Sequence, residues 1–580
     1  MADSPAASLP DLPAPRVPLV LGVTGHRTLA NPEAIDRAVR RALQRLRGRY
    51  PHTPFVCLSP IAEGADRLVA EAAQDVLDAS LVVSLPLPAD LYRDDFTASG
   101  SHTHFDALCD DADNVFELAL QASREDVRPY EEPRNRQYAQ MGALIVEHCD
   151  VLIAVWDGEP ARGLGGTGDV VQWALDGRVP AEYQAAAAPD RPFYHPNETE
   201  VIHIHSGSAQ VTVHTHEGVF AGEDVSETPG SDHRAALAQI EQYNADLQAD
   251  PPTLNERQQS LQWVLGDRAS DPACQTPIMR HLMAHYTQAD GLAQHLRAQY
   301  RGRLRSIYGL SAVAVFVSAL AGVYPVLVAV DLLVVGLAYG LLKHAERQNM
   351  EARFLKTRTL AEGLRVALSW NGAGVGARLR DFYLITYATE LAFCRIAQKN
   401  MEVQRWRSVD PFADDTPCLS PGDVRTLWID DQIDYFSRTR ARLRARGRRM
   451  GWVTTTAYRI AFLLAVALAG VALFMDPIQP TFNALALAMS LILAAGVSVR
   501  SYKEKLGVDA FATHYAKAER LFRTANAQWT ALHDASPGDP DTERASVHRL
   551  LVTLGRETLL EHGDWLWTNQ ERSVDVPKAG

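Results

Sequence analysis

Residues 307–342, IYGLSAVAVFVSALAGVYPVLVAVDLLVVGLAYGLL, carry one acidic and no basic side chain across thirty-six positions. No ordinary soluble helix needs so long an apolar run. At 1.5 Å per residue the run is enough for two membrane spans of about 26 Å each, turning near Tyr324 and Pro325. A second apolar pair follows, IAFLLAVALAGVALFM (460–475) and ALALAMSLILAAGVSV (484–499), joined by DPIQPTFN. The prolines and asparagine of that joint suit a turn at a membrane surface. Each half is short for a span, so a buried helical hairpin of a soluble protein is the alternative reading. Charge placement favours the membrane. RAQYRGRLR (297–305) precedes the first pair, and Lys343, Arg347, Arg353 and Lys356 follow it. RTRARLRARGRR (438–449) precedes the second pair and RSYKEK (500–505) follows, while both tips lack basic residues. The positive-inside rule then predicts a multi-pass protein of the inner (cytoplasmic) membrane, with the N-terminal region and the C-terminus cytoplasmic.

Two features refine this expectation. LAGV recurs at 320–323 and 468–471, AEGL (361–364) answers AERL (518–521), and the following helices end at Trp370 and Trp529. The layout suggests duplicated helical hairpins. Asp331 falls inside the second expected span, where a charge costs about 3 kcal/mol, so it either lines a pore or sits at the interface.

The N-terminal third has a different rhythm. From 17 to 206, short apolar runs alternate with helical segments, which predicts an α/β fold with a Rossmann-like parallel sheet. Strands are expected at Leu19–Val23, Phe55–Leu58, Leu81–Leu85, Val151–Trp156 and Val201–His205. An insert from Pro86 to Asn114, with Tyr92, Arg93 and Phe96, suits a lid over a site. The leader 1–16 has neither a basic nor an apolar segment and is expected to be disordered rather than a signal peptide. Beyond the sheet, 207–300 is expected to form a loop and helical connector, 301–372 the first hairpin with flanking helices and 373–437 a helical linker. The second hairpin then takes 438–535, and 536–580 a C-terminal helix and tail. A formal charge of −13 without a basic tail argues against nucleic acid as a partner. The six cysteines form no CxxC pair, which fits a reducing compartment.

Three loops after expected strands carry the chemistry. The first, GVTGHR, supplies Gly22, Thr24, Gly25, His26 and Arg27: a glycine for close approach, beside hydroxyl, imidazole and guanidinium donors. The second, EGAD, supplies Glu63, Gly64, Ala65 and Asp66 at the start of a helix. The third, DGEPARGLGGTGDVV, supplies Asp157, Gly158, Gly165, Gly166, Thr167 and Gly168. Glycine amides, a hydroxyl and a helix N-terminus make a phosphate cradle, and ligands of doubly wound sheets collect at the carboxyl ends of strands. The loop lacks the lysine of a Walker A motif, so binding without triphosphate hydrolysis is expected. His203 with His205, and His214 with His216, share strand faces, but neither carboxylate nor cysteine completes a metal set. No metal and no cofactor is therefore expected.

GVTGHR, EGADRLVAEAA and CDVLIAVWDGEPARGLGGTGDVV, in that order, resemble the SLOG superfamily of Rossmann-like nucleotide-binding domains over residues 17–206. The basic-flanked apolar pairs, with WIDDQIDYF (428–436) ahead of the second, resemble SLATT domains, two-transmembrane effectors associated with SLOG sensors in bacterial conflict systems. The resemblance implies a membrane-anchored sensor and effector in antiphage defence. Its partners would be a nucleotide-derived ligand, the lipid bilayer, further copies of the chain in a homo-oligomer, and an enzyme that makes the signal. Within that superfamily the LOG phosphoribohydrolases place a catalytic glutamate in a PGGxGTxxE pattern. Here that position falls on Gln172 and the proline position on Leu164, which favours a sensor with no catalytic residue over an enzyme. Two other readings stay open: a LOG-like nucleosidase using Asp157 or Asp169, and a constitutive channel or assembly module whose SLOG-like domain is degenerate.

Overall fold

The structure is a computed structural model of the 580-residue chain, and it describes residues 10–129, 131–161, 163–183, 199–215, 218–221, 232–321, 324–383, 388–412, 416–474, 479–535 and 540–570. The chain divides into two compact units. The first comprises Met1–Leu261, Asp267–Gln288 and Glu362–Cys418, and the second Gln262–Gly266, Ala289–Ala361 and Leu419–Gly580.

The first unit is built on one eight-stranded sheet. Its strands are β1 (Leu19–Gly25), β2 (Phe55–Ser59), β3 (Ser80–Leu85), β4 (Asn114–Glu117), β5 (Val151–Trp156), β6 (Glu200–His205), β7 (Val211–Thr215) and β8 (Gly218–Ala221). They lie in the order β4-β3-β2-β1-β5-β6-β7-β8. Pairing is parallel from β4 through β6 and antiparallel for the last two strands. The chain works outward from β1 to β4 and then returns to lay β5 on the other side of β1. That reversal opens a crevice above the carboxyl ends of β1 and β5. β1, β2 and β5 are buried almost throughout, as strands covered on both faces must be. The crossover helices are α1 (Pro32–Arg49), α2 (Ala65–Leu77), α3 (Ala89–Arg93), α4 (Ser101–Asp111), α5 (Glu132–His148) and α6 (Thr167–Asp176). The short strand β4 begins at Asn114, the last residue of the segment the sequence assigns to a lid. Within that segment Tyr92 and Phe105 are buried, with ring centroids 6.1 Å apart, and Phe96 sits 5.0 Å from Tyr92. The insert is a packed wall.

Helices far along the chain complete this unit. These include α7 (Asp232–Ala249) and the part of α8 (Leu254–Leu265) up to Leu261, then the start of α9 (Pro277–Ala321). After α10 (Val328–Arg347) come the end of α11 (Met350–Gly372) and α12 (Ala388–Arg405), which also belong to it. Sequence reading gives residues 362–418 partly to the first apolar pair and partly to a linker; they pack with the sheet instead. Asn400 of α12 donates to Asp150 Oδ2 (2.6 Å) and to the Pro18 carbonyl (2.8 Å), while Val20 N donates to the same Asp150 oxygen (2.9 Å).

The second unit is helical in its described residues. After the single turn α13 (Pro421–Val424) it holds α14 (Asp431–Phe474), α15 (Gln479–Lys505), α16 (Val508–Ala535) and α17 (Pro540–Gln570). Four helical stretches, Pro277–Ala321, Pro325–Gly372, Pro421–Leu473 and Pro480–His533, are long and apolar enough to cross a membrane. Their apolar windows are mostly uncovered by protein: Leu332 and Leu333 are each 69 % exposed, Phe462 68 % and Leu473 77 %. A buried soluble hairpin would hide such side chains, so the exposure favours a lipid surround. α14 and α15 pack side by side, and a Cβ at Gly496 would stand 3.1 Å from Ala457 and Tyr458. The Asp331 carboxylate accepts a hydrogen bond from the Ser318 hydroxyl of the preceding apolar helix.

Candidate functional site

The crevice above β1 and β5 is a cleft of about 670 Å³. Of the residues that the three motifs offer, Thr24, Gly25, His26, Arg27, Asp66, Asp157, Gly165, Gly166, Thr167 and Gly168 line it. Gly22, Glu63, Gly64, Ala65 and Gly158 are not in its lining.

The first two loops are locked together by backbone contacts. His26 N donates to the Val155 carbonyl (3.0 Å) and Ala65 N donates to the His26 carbonyl (3.1 Å). The Ala65 amide is therefore spent inside the protein. A Cβ at Gly25 would meet the Ala65 methyl at 2.4 Å, so only glycine fits where strand and helix approach. Gly22 is a packing glycine, its hypothetical Cβ 2.7 Å from Ile145 of α5. Glu63 turns to the insert, accepting from Ala98 N at 3.1 Å.

The third loop makes the cradle. Gly165 has φ +73° and lies so close to α5 that a Cβ would stand 2.5 Å from Ala139 N. Its own amide donates to Asp169 Oδ2 at 3.0 Å, which gives Asp169 the role of loop cap rather than base. The N-cap Gly166 provides no side-chain bond to the first turn of α6, so Thr167 and Gly168 bring an uncapped helix N-terminus to the cleft. Gln172 donates to Asp176 at 2.8 Å on its own helix and is absent from the lining, whereas Leu164 lines the cleft.

The cleft lining holds Arg27 and His26 beside three acids, Asp66, Asp157 and Glu159. His26 Nε2 lies 3.5 Å from Asp157 Oδ1, an ion pair when the imidazole is protonated. Arg27 reaches Asp95 at 3.4 Å and the Tyr138 hydroxyl at 3.4 Å, with its guanidinium 5.7 Å from the Tyr138 ring. Asp95 is buried and also binds Arg134 at 2.5 Å and accepts from Tyr138. Arg27 is thus oriented by a buried carboxylate rather than left to swing. Asp66 differs from the other acids: it is 5 % exposed, and its Oδ1 has no hydrogen-bond partner. Burial pushes its carboxyl up to about 7, against a hydrogen bond from the Ala62 backbone and the charges of Arg27 and Arg67.

Of the insert residues that sequence reading set over the site, Tyr92 lines the cleft from α3. Sequence reading missed the other side walls, Asn135, Tyr138 and Met141 from α5 and Trp156 from the end of β5. The aromatic residues give flat apolar surface beside the cradle. A faint signal existed in Gly142, needed because Val170 of α6 would stand 2.6 Å from its Cβ. The histidines are engaged locally: His203 Nε2 lies 3.0 Å from the Trp156 carbonyl, and His205 Nδ1 accepts from Gly207 and Ser208, each at 3.1 Å. Among the described residues no group of three or more His, Cys, Asp or Glu side chains could hold a metal ion, and His216 lies outside them. No family model, no curated protein and no solved structure matches the chain.

Proposed function

We propose that the chain is a membrane-anchored nucleotide sensor: a SLOG-like domain that binds a nucleotide-derived signal, joined to SLATT-like apolar hairpins that perturb the membrane. The observation that carries the reading is the position of the cleft. A glycine-rich loop and an uncapped helix N-terminus meet the β1 loop at the point where strand order reverses, the arrangement that receives phosphorylated ligands in open parallel sheets. Aromatic walls at Tyr138 and Trp156 suit a base, and Arg27, held by Asp95, suits a phosphate oxygen. The four long apolar helices supply the membrane part. The basic outer ends support a cytoplasmic orientation of the sensor, and the motif resemblance supports a role in bacterial antiphage defence.

The test uses the full chain in detergent and in dye-loaded liposomes. A panel of linear, cyclic and ADP-ribose-derived nucleotides is screened by thermal shift, and a hit is tested for dye release. Arg27→Ala is expected to weaken binding about tenfold or more. Saturating binding without leak or ion current rejects the effector half; no binding from the panel rejects the sensor half.

One observation favours a second reading, cleavage of a base–sugar bond. Asp66 is an acid lining the cleft and poised near neutrality, as a general acid must be. Release of free base from a bound nucleotide, lost in Asp66→Asn, supports the enzyme; intact ligand after prolonged incubation supports the sensor.

A further inference from the structure

Within the second unit, basic side chains from two helices gather at one level beside a third helix. A Cβ at Gly447 of α14 would lie 3.7 Å from Lys503 Cε of α15. Tyr308 of α9 donates to the Ser501 carbonyl at 3.3 Å, and its ring lies 5.2 Å from that of Tyr502. Besides partial burial, Arg301 of α9 feels the like charges of Arg297 and Arg446. These contacts put Arg301 and Arg305 of α9 level with Arg446, Arg448 and Arg449 of α14. All five are exposed. Among the described residues none of the five has a carboxylate within ion-pair range, whereas Arg440 pairs with Glu519 (3.0 Å), Arg500 with Glu504 (2.9 Å) and Lys503 with Asp509 (2.7 Å).

The level coincides with the start of the apolar surface. On α9 the apolar run begins at Ile307, and on α15 it ends at Val499. On α14 the long run starts only at Ile460, behind the exposed Arg459. Gly496 of α15 lies against Ala457 and Tyr458, however, so the end of the α15 run falls close to Val453, 43 % exposed, and Trp452, 70 % exposed. At 1.5 Å per residue, Arg449, Arg448 and Arg446 stand about 4.5, 6 and 9 Å outside Trp452, and Arg305 and Arg301 about 3 and 9 Å outside Ile307. A headgroup layer is about 5–7 Å deep on each side of the hydrocarbon. Five unneutralised guanidinium groups, bordered by an exposed tryptophan, therefore fall at or just beyond the depth of lipid phosphates. Guanidinium matches phosphate bidentately where ammonium does not, and all five positions are arginine.

The geometry points to an arginine collar, Arg301, Arg305, Arg446, Arg448 and Arg449, that binds the phosphates of anionic phospholipids and sets the depth of the helices. The inference rests on the membrane reading and adds the lipid class. The occupant is a lipid rather than free phosphate because the collar is continuous with exposed apolar surface and has no enclosing wall.

The test reconstitutes the full chain in bilayers of phosphatidylcholine alone or mixed with phosphatidylglycerol, then counts retained lipids by native mass spectrometry after partial delipidation. The parent is expected to retain phosphatidylglycerol over phosphatidylcholine, and the variant R446Q/R448Q/R449Q to lose that preference about tenfold or more. Equal retention of both lipids by the parent, or an unchanged preference in the variant, overturns the collar. Displacement of the retained lipid by glycerol phosphate at constant ionic strength would make it a soluble-phosphate site and also overturn it. Vesicle flotation keeps the premise separate: parent and variant are both expected to float with neutral vesicles, and failure of the parent to float with any vesicle rejects the membrane reading itself.

Discussion

Gly64 and Arg27 are in backbone contact: a Cβ on Gly64 would lie 2.2 Å from the Arg27 carbonyl oxygen, and Gly64 has φ +84°. Both facts exclude a side chain. Gly64→Ala is expected to push the β1 loop away from α2, costing about 1–3 kcal/mol. Gly48, near the end of α1 with nothing within 4 Å of its Cβ, is the control. Gly48→Ala is expected to be neutral or to stabilise by up to about 1 kcal/mol. Thermal melts of the two variants should move in opposite directions; equal shifts would refute the contact.

Lys399 Nζ lies 2.8 Å from Asp150 Oδ1, and both side chains are buried. Burial drives the Lys399 ammonium down from its ordinary value and Asp150 draws it back. Removing one partner leaves a buried charge without compensation, which costs about 3–5 kcal/mol. Asp150→Ala is expected to lower hydrogen-exchange protection of β1 and β5 more than it lowers that of α15. The double variant Asp150→Asn, Lys399→Met should recover part of the loss. No recovery would mean that Asp150 acts mainly through its other bonds, to Val20 and Asn400.

The sheet was legible because its strands are short apolar runs bounded by polar turns. The expected Val151–Trp156 matches β5, and Leu19–Val23 falls two residues short of β1 only because Thr24 and Gly25 read as loop. β4 escaped notice for a physical reason: Asn114–Glu117 is an edge strand of four residues with one buried side chain, Phe116, so it shows no apolar run. The cleft was legible where close backbone approach demands glycine, as at Gly25 and Gly165, and illegible where helix packing decides, as at Tyr138 and Asn135. Nor does local pattern show that α12 docks under the sheet, since Asn400 and Asp150 are 250 residues apart. The apolar runs were plain in sequence because lipid exposure needs a continuous run rather than a stripe.

Asp66 ties the cleft to pH. Its carboxyl is raised from 3.8 to about 7, so between those values the folded chain holds a proton that the unfolded chain releases. The native state then binds more protons, and this group's contribution to stability falls as pH rises through the window, levelling off above about 7. Asp66→Asn removes the dependence. Relative to the parent, the variant is expected to gain up to about 4 kcal/mol between pH 4 and pH 8. Melts of both proteins at several pH values measure the difference; a gap that stays constant would place the Asp66 carboxyl at its ordinary value.

Leu332 and Leu333 of α10, each 69 % exposed, decide what surrounds the apolar helices. In water, replacing an exposed leucine by arginine removes no packing and is close to neutral. At the middle of a bilayer the same change costs about 2.5–3.5 kcal/mol by insertion scales. Both positions follow Asp331, whose carboxyl group accepts from Ser318. An arginine there brings a guanidinium whose five N–H groups each need an acceptor that a lipid tail cannot supply. Leu333→Arg is therefore expected to reduce the alkali-resistant membrane fraction several-fold, while Leu254→Arg, at an exposed leucine of the sheet-bearing unit, leaves it unchanged. Snorkelling would soften the penalty near a helix end, so Leu337→Arg, one turn further along α10 and 52 % exposed, maps the depth. If all three arginine variants fractionate like the parent, the helices lie in water and their exposed faces await a protein partner instead.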